Sequence, residues 1–324
     1  MKFLIAGFGS IGRRHLSNLL ALGEKDILVY HTGHSTLPEA QLAGFQVETD
    51  LGAALAQRPD AVIVANPTAL HLAVAIPAAE AGCHILMEKP VSDSLEGTAE
   101  LSAALARGGG RLLVGFQFRF HPGLRKAAEL LREGAIGRPV FARAHWGEYL
   151  PNWHPWEDYR QSYAARPELG GGVVRTLTHP FDYLRWLLGE AEVAGAQVGT
   201  LGDLGIPVED TAEVSLRFAS GVFGSLHLNY VQQPASHTLE IIGTQGTLRW
   251  DNADGGLHCF RVSTAAWEHY PVPDGFERNS LFLDEMRHFI DVAGGRAEPV
   301  CSLDDGLRVQ QLALDAFKYY SGRA

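Results

Sequence analysis

The stretch GGGVVRTLTHPFDYLRWLLG, residues 170–189, sets a histidine among apolar positions that recur with helical spacing. On a helical wheel Val174, Leu177, Phe181, Leu184 and Leu188 share one face, and Arg175, His179, Asp182 and Trp186 share the other. A histidine titrates near neutrality, so His179 on a polar face suits proton transfer to or from a reacting hydroxyl. Pro180 cannot donate to the carbonyl of Thr176, which predicts a kink or a tightened first turn beside His179. A second stretch, Met87-Glu88-Lys89-Pro90, is short and unspecific taken alone.

A third constellation is Gly7-Phe8-Gly9-Ser10-Ile11-Gly12, which follows the strand-like KFLIA and opens a helical pattern through Leu22. GxGxxG is a weak string alone, but a strand-to-helix turn gives it physical meaning. Gly7 permits the tight turn, Gly9 lets the backbone approach a pyrophosphate, and Gly12 lets the helix pack on the sheet. The amides of Ser10, Ile11 and Gly12 then face the phosphates. These residues predict binding of a nicotinamide dinucleotide. The second strand, Ile27-Leu28-Val29-Tyr30, runs into His31-Thr32-Gly33-His34-Ser35 without the acid that usually binds the ribose hydroxyls of NAD. A carboxylate would repel a 2′-phosphate, whereas His31, Thr32, His34 and Ser35 would not; the expectation is NADP in preference to NAD.

These residues need a frame. Up to about Phe120, apolar runs (KFLIAG, ILVYH, FQVE, AVIVAN, HILMEK, RLLVGFQF) alternate with helical patterns, the grammar of a doubly wound parallel sheet. MEKP closes the fifth run, at the carboxyl end where ligands of such sheets gather. Beyond Phe120 come a helix over 123–133, the strand PVFARAHWGEY, an irregular aromatic stretch and the helix of 170–189. The strands TAEVSLRFA, VFGSLHLNYV, HTLEIIG and GTLRWD follow, with Gly-containing turns between them. Helices over 281–292 and 303–320 close the chain. The fold class is therefore α/β: a Rossmann domain over 1–120 and an α+β domain over 121–324 with an open, largely antiparallel sheet for substrate binding and oligomerisation.

The chain of 324 residues is 46% hydrophobic, enough for two cores, and its formal charge of -10 argues against a nucleic-acid surface. Its three cysteines, Cys83, Cys259 and Cys301, are widely separated and suggest neither a disulfide framework nor a paired-cysteine metal site. With no signal-peptide pattern at the start and no long apolar stretch, the expectation is a cytoplasmic protein with no membrane partner.

GFGSIGRRH, NPTALH at 66–71, MEKP, Arg119 in FQFRFHP and the ordered GGG…H…D…WLLG together resemble the glucose-fructose oxidoreductase, inositol dehydrogenase and rhizopine-catabolism (Gfo/Idh/MocA) family over both domains. The resemblance implies NAD(P)-dependent hydride transfer at a carbinol or carbonyl carbon of a sugar, cyclitol or sugar derivative. It implies that Lys89 lies near the nicotinamide and the reacting oxygen, that Glu88 positions Lys89, and that Asn66, Pro67 and His71 belong to the nicotinamide side. It makes His179 the general acid/base, and it implies a homodimer or homotetramer. The family commonly has an aspartate four residues before that histidine; here Arg175 stands there, which would lower the histidine's pKa and cannot accept a proton.

Three readings stay open at this point. Arg175 binds an anionic part of the substrate beside His179 and Lys89; or it turns away to pair with Asp182 or a neighbour and the chemistry runs through Lys89 alone; or catalysis is lost or changed, leaving an NADP(H)-binding sensor or a glycosidase using transient oxidation. Arg119, Arg160, Arg166 and Arg175 in an acidic protein favour a substrate bearing a carboxylate, sulfonate or phosphate. The aromatic stretch supplies Trp153, Trp156 and Tyr159, whose faces suit the apolar C–H faces of a sugar ring. Asp182 joins Arg119 and Arg160 as a polar substrate-binding candidate. His145, His154, Glu157 and Asp158 have no metal-ligand spacing, and no metal site is expected.

Overall fold

In the computed structural model, residues 1–33 and 42–323 are described, with side chains to residue 320. The candidates His34 and Ser35 lie outside the described residues. The chain divides into two compact units, Met1–Gln117 with Arg278–Arg308, and Phe118–Glu277 with Val309–Ala324. Residues 278–308 of the expected second domain therefore pack with the first unit.

The first unit holds a six-stranded, wholly parallel sheet. Its strands are β1 (Phe3–Ala6), β2 (Ile27–Tyr30), β3 (Gln46–Glu48), β4 (Ala61–Val64), β5 (His84–Glu88) and β6 (Leu112–Gly115), in the order β3-β2-β1-β4-β5-β6. The helices between them are α1 (Ser10–Ala21), α2 (Leu51–Ala56), α3 (His71–Glu80) and α4 (Thr98–Gly108). The inner strands FLIA and AVIV are buried throughout, which is why they read as unbroken apolar runs rather than alternations. The order reverses between β1 and β4, and their carboxyl ends bring Gly7 beside Asn66. In sheets of this order that crevice is the ligand position.

The second unit carries a nine-stranded mixed sheet, mostly antiparallel. It begins with α5 (Pro122–Arg132) and β7 (Pro139–Tyr149), and after a run of short 3-10 turns the chain enters α6 (Val173–Thr176) and α7 (His179–Leu188). The strands β8 (Ala191–Thr200), β9 (Thr211–Phe218), β10 (Phe223–Asn229), β11 (Val231–Gly243), β12 (Gly246–Asp251), β13 (Leu257–Arg261) and β14 (Ala266–Tyr270) follow. The chain closes with α8 (Arg278–Ala293), α9 (Leu303–Phe317) and β15 (Tyr320–Arg323). The sheet order is β14-β13-β12-β11-β7-β10-β9-β8-β15, with β7/β10 and β8/β15 parallel.

Alternation decides which face of this sheet is core. Along β9 Ala212, Val214, Leu216 and Phe218 are buried while Glu213, Ser215 and Arg217 are exposed. Ala142, Ala144 and Trp146 of β7, Leu226 and Leu228 of β10, and Leu248 and Trp250 of β12 are buried too. Four strands escaped the sequence reading: β8 is rich in Ala and Gly, β13 and β14 are short and lie at one edge, and β15 is a terminal strand at the other.

The helix expected over 170–189 is two helices. Thr176 ends α6, Leu177 and Thr178 break it, and His179 starts α7 with Pro180 in its first turn. Pro180 has no N–H with which to continue the helical ladder to the Thr176 carbonyl, so the helix stops and restarts rather than merely kinking. The amphipathic reading needs the same correction. His179 is 1% and Asp182 0% exposed, while Arg175 and Trp186 on the same side are only partly buried.

Candidate functional site

The candidate residues fall in both units, and each set has its own local geometry. In the first unit Gly7 has φ +102°, and a Cβ there would lie 2.5 Å from the Asn66 amide nitrogen. Only glycine tolerates that backbone with so close a neighbour. A Cβ on Gly12 would meet the Gly7 carbonyl oxygen at 2.1 Å, so the start of α1 is pressed against the turn. Gly9 is different: nothing lies within 4 Å of where its Cβ would be. The turn is thus packed behind and bare in front, with the first-turn amides of Ser10, Ile11 and Gly12 at the positive end of α1 and no acidic residue in that turn. This arrangement fits a dinucleotide's pyrophosphate.

The end of β2 is less open than its sequence suggested. His31 is buried, its ring meets Phe8 edge-on at 6.3 Å, and its backbone N–H donates to the Glu48 carbonyl; Thr32 is exposed. Although β2 carries no acid, Glu48 of β3 pairs opposite Tyr30, and its carboxylate accepts from Gln46 Nε2 and Gln57 Nε2.

At the ends of β4 and β5 a buried polar cluster braces the loops. Asn66 Nδ2 donates to the Leu70 carbonyl, while the His71 ring nitrogens lie 3.0 Å from the Asn66 carbonyl and 2.9 Å from the Pro90 carbonyl. His71 therefore ties the Asn66-Pro67 loop to the one carrying Glu88 and Lys89, and burial pushes its pKa down against the pull of Glu88. Glu88 Oε1 lies 2.8 Å from Nε2 of His15, a fully buried residue of α1. Burial would raise the Glu88 pKa, but the His15 hydrogen bond and the charges of His15, Lys89 and His71 hold it below the usual range. Glu285 of α8, also buried, is pushed well up by burial and by Glu88's charge. Lys89 is half-buried immediately after β5. His15 and Glu285 were missed by sequence reasoning; only the placement of His15 on the inward face of α1 could have drawn attention to it.

In the second unit His179 sits in an aromatic nest. Its ring is 4.9 Å from Phe118, edge-on, and 5.5 Å from Trp146, and Trp146 stacks on His237 at 4.3 Å. One turn along α7, Asp182 takes the Arg119 guanidinium through Nε at 3.0 and 3.1 Å and a terminal nitrogen at 2.6 Å. Both side chains are buried, at 5% and 1% exposure. Arg119 and Asp182, expected to bind substrate, instead neutralise each other, because a buried guanidinium needs a planar, charged acceptor.

Arg175 does not pair with Asp182. Its guanidinium lies 4.7 Å from the centre of the Phe317 ring, and the nearby carboxylate is Glu209, which is 1% exposed and accepts from the Val174 amide at 3.2 Å. Burial raises the Glu209 pKa to about 7, with Arg175 working against the shift. In the aromatic segment Trp153 packs edge-on against Tyr230, Tyr159 donates to the Leu204 carbonyl, and Arg160 lies over Tyr159 and beside Asp158. Arg166 is bonded to Glu168, and Trp156 is 59% exposed. The segment thus folds onto its own unit through Trp153 and Tyr159 and presents Trp156 outward.

Among the described residues, Asp254, His258 and His269 bring ligand atoms within 4.8 Å of one another. Chain spacing hid them because strand pairing, not a short motif, sets His258 opposite His269.

Comparison with known proteins agrees with this architecture. Residues 1–116 match the family model described as oxidoreductase family, NAD-binding Rossmann fold (GFO_IDH_MocA), and residues 124–249 match the GFO/IDH/MocA C-terminal domain. The chain is 28% identical to the uncharacterized oxidoreductase YrbE of Bacillus subtilis (strain 168), over 95% of this chain and 91% of that protein. It is 27% identical to the myo-inositol 2-dehydrogenase of Thermotoga maritima (strain ATCC 43589 / DSM 3109 / JCM 10099 / NBRC 100826 / MSB8), over 94% of this chain and 92% of the relative. In fold it is similar to a levoglucosan dehydrogenase solved with NADH and levoglucosan, with TM-score 0.86, 22% identity, and coverage of 98% of this chain and 96% of that one. No helix among the described residues is long and apolar enough to cross a membrane.

Proposed function

Because this chain belongs to the Gfo/Idh/MocA oxidoreductase family, with its NAD-binding Rossmann fold, we propose that it is a dehydrogenase or reductase of a sugar or cyclitol. The observation that carries the reading is the Gly7 turn pressed against Asn66, with the backbone bare at Gly9. A bound nicotinamide supplies the hydride acceptor or donor. Gly7, Gly9 and the amides of Ser10, Ile11 and Gly12 hold its pyrophosphate, and Asn66, Pro67 and His71 shape the nicotinamide side. A relative named myo-inositol 2-dehydrogenase and a structural neighbour solved with levoglucosan support the substrate class.

In oxidation, the substrate hydroxyl loses its proton as its carbon loses hydride. His179 accepts that proton, and Lys89 donates a hydrogen bond to the oxygen as negative charge develops. In this reading Glu88 positions Lys89, and the His15 hydrogen bond helps hold the Glu88 pKa below the usual range. Since Arg119, Arg160 and Arg166 each pair with a carboxylate within their own unit, the reading favours a neutral polyol over an acidic sugar. Trp156 is the aromatic surface offered to it. Within the cofactor pair we propose NADP over NAD, on the absence of an acid from β2; the protein works as a homo-oligomer in the cytoplasm.

The test is absorbance at 340 nm with NAD and NADP supplied separately against neutral sugars, cyclitols and uronic acids, running wild type beside Lys89→Met and His179→Asn. The reading expects turnover of a neutral substrate, reduced at least about 100-fold by either change, as general acid–base groups contribute. Tight cofactor binding with no turnover would favour the second reading, a cofactor-binding sensor. The observation on its side is Arg175, held at Phe317 and Glu209 where the family commonly has the aspartate.

A further inference from the structure

Strands β13 and β14 form the outermost hairpin of the nine-stranded sheet, and His258 faces His269 directly across it. Their rings are nearly parallel, 17° apart, with centres at 4.4 Å, so two imidazole edges are presented side by side. The turn entering β13 adds Asp254, whose Oδ1 accepts from the Gly256 amide at 2.8 Å. That hydrogen bond fixes the carboxylate and leaves Oδ2 for another partner.

Gly256 supplies an independent sign that these groups converge. A Cβ at Gly256 would lie 2.6 Å from His269 Nε2 and 3.4 Å from Asp254 Oδ1. The imidazole nitrogen occupies the space that any side chain would fill, and the carboxylate borders the same space. All three ligand atoms fall within 4.8 Å of one another. Ligands bonded at about 2.0–2.2 Å in a tetrahedral site stand roughly 3.3 Å apart, so small side-chain rotations close the remainder.

From this geometry we propose that Asp254, His258 and His269 bind one divalent transition-metal ion of the zinc class. Two imidazoles and one carboxylate select such an ion over magnesium or calcium, which favour all-oxygen sets. Asp254 and His269 are exposed and His258 is partly so, so an ion arrives without the cost of desolvating a closed cavity. The bound ion joins the turn over 252–256 to the edge strand β14. It is a structural clip on the second unit, separate from Lys89 and His179 and independent of the redox reading.

The experiment titrates chelator-stripped protein with Zn²⁺ by calorimetry and with Co²⁺ by visible absorption. Wild type is compared with the double variant His258→Gln/His269→Gln and with Gly256→Ala. The expected result is one ion per wild-type chain with a tetrahedral Co²⁺ spectrum, weakened at least tenfold in both variants. Circular dichroism checks that the variants are folded; Gly256→Ala retains every ligand, so its loss reports the crowded geometry. A wild type that binds no ion at millimolar Zn²⁺ overturns the proposal. So does a double variant that keeps the stoichiometry with less than a threefold change in affinity, since the ion would then sit on other histidines.

Discussion

Arg119 and Asp182 meet as a two-pronged ion pair inside the second unit, with Nε and a terminal nitrogen of the guanidinium on one carboxylate. Asp182 lies one helical turn beyond His179, so the pair anchors the segment that carries the proton-handling candidate. Removing one member strands a buried charge. Asp182→Asn is therefore expected to lower unfolding free energy by about 3–5 kcal/mol, whereas Arg119→Met with Asp182→Leu comes closer to neutral. Urea denaturation of the two variants beside wild type decides it; equal losses would mean the pair matters through shape rather than charge.

The difference between the two units explains how much of this was legible in sequence. Parallel strands buried on both faces announce themselves as apolar runs, so FLIA and AVIV were plain, and glycines at a strand-to-helix turn have a fixed meaning. Partnerships made by tertiary packing carry no such signature. A helical wheel sets His179 and Asp182 opposite the apolar stripe without showing that both are buried, and only the fold reveals that Arg119, sixty-three residues away, neutralises Asp182. The same holds for Glu88 with His15, and for His258 with His269, which only sheet register brings together.

Gly9 and Gly12 separate cofactor contact from folding. Alanine at Gly9 meets nothing within 4 Å, so Gly9→Ala should keep the wild-type melting temperature while weakening NAD(P)H binding at least tenfold. Alanine at Gly12 would sit 2.1 Å from the Gly7 carbonyl and should lower stability and binding together, since overpacking costs about 1–3 kcal/mol or more. Fluorescence titration with NADH and NADPH, paired with thermal melts, measures both. Unchanged affinity in Gly9→Ala would move the pyrophosphate away from this turn.

Glu209 gives the second unit a specific pH dependence. Its folded pKa is raised to about 7 from an ordinary 4.5, chiefly by burial. The stability it contributes is full below the unfolded value and is lost as pH rises through the folded one, between about 4.5 and 7. Glu209→Gln still accepts from the Val174 amide but cannot ionise, so it should flatten that decline and, at pH 8, exceed wild type by up to about 3 kcal/mol. Denaturation midpoints at several pH values test it; parallel curves for the two proteins would show that Glu209 keeps an ordinary pKa.

His15 is expected to decide the charge of Glu88. With the imidazole present, the Glu88 pKa is held below the ordinary value, so Glu88 contributes stability above that value that is lost as pH falls through the folded one. Replacing His15 with Leu removes both the hydrogen bond and the nearest positive charge and leaves burial, which favours the neutral acid, as the main influence. The sign then reverses. His15→Leu should be several kcal/mol less stable than wild type at pH 7.5, as expected for a buried carboxylate without its partner, and should recover part of the loss on acidification to pH 5. Glu285, already pushed toward its neutral form by burial and by Glu88, adds to the reversal, because like charges on the two acids compete. His15→Leu/Glu88→Gln, with no acid left at position 88, should regain stability at pH 7.5 and lose much of the acid-dependent recovery. If the single and double variants instead follow the same pH curve, Glu88 is not the group that His15 serves, and Lys89 takes its orientation from elsewhere.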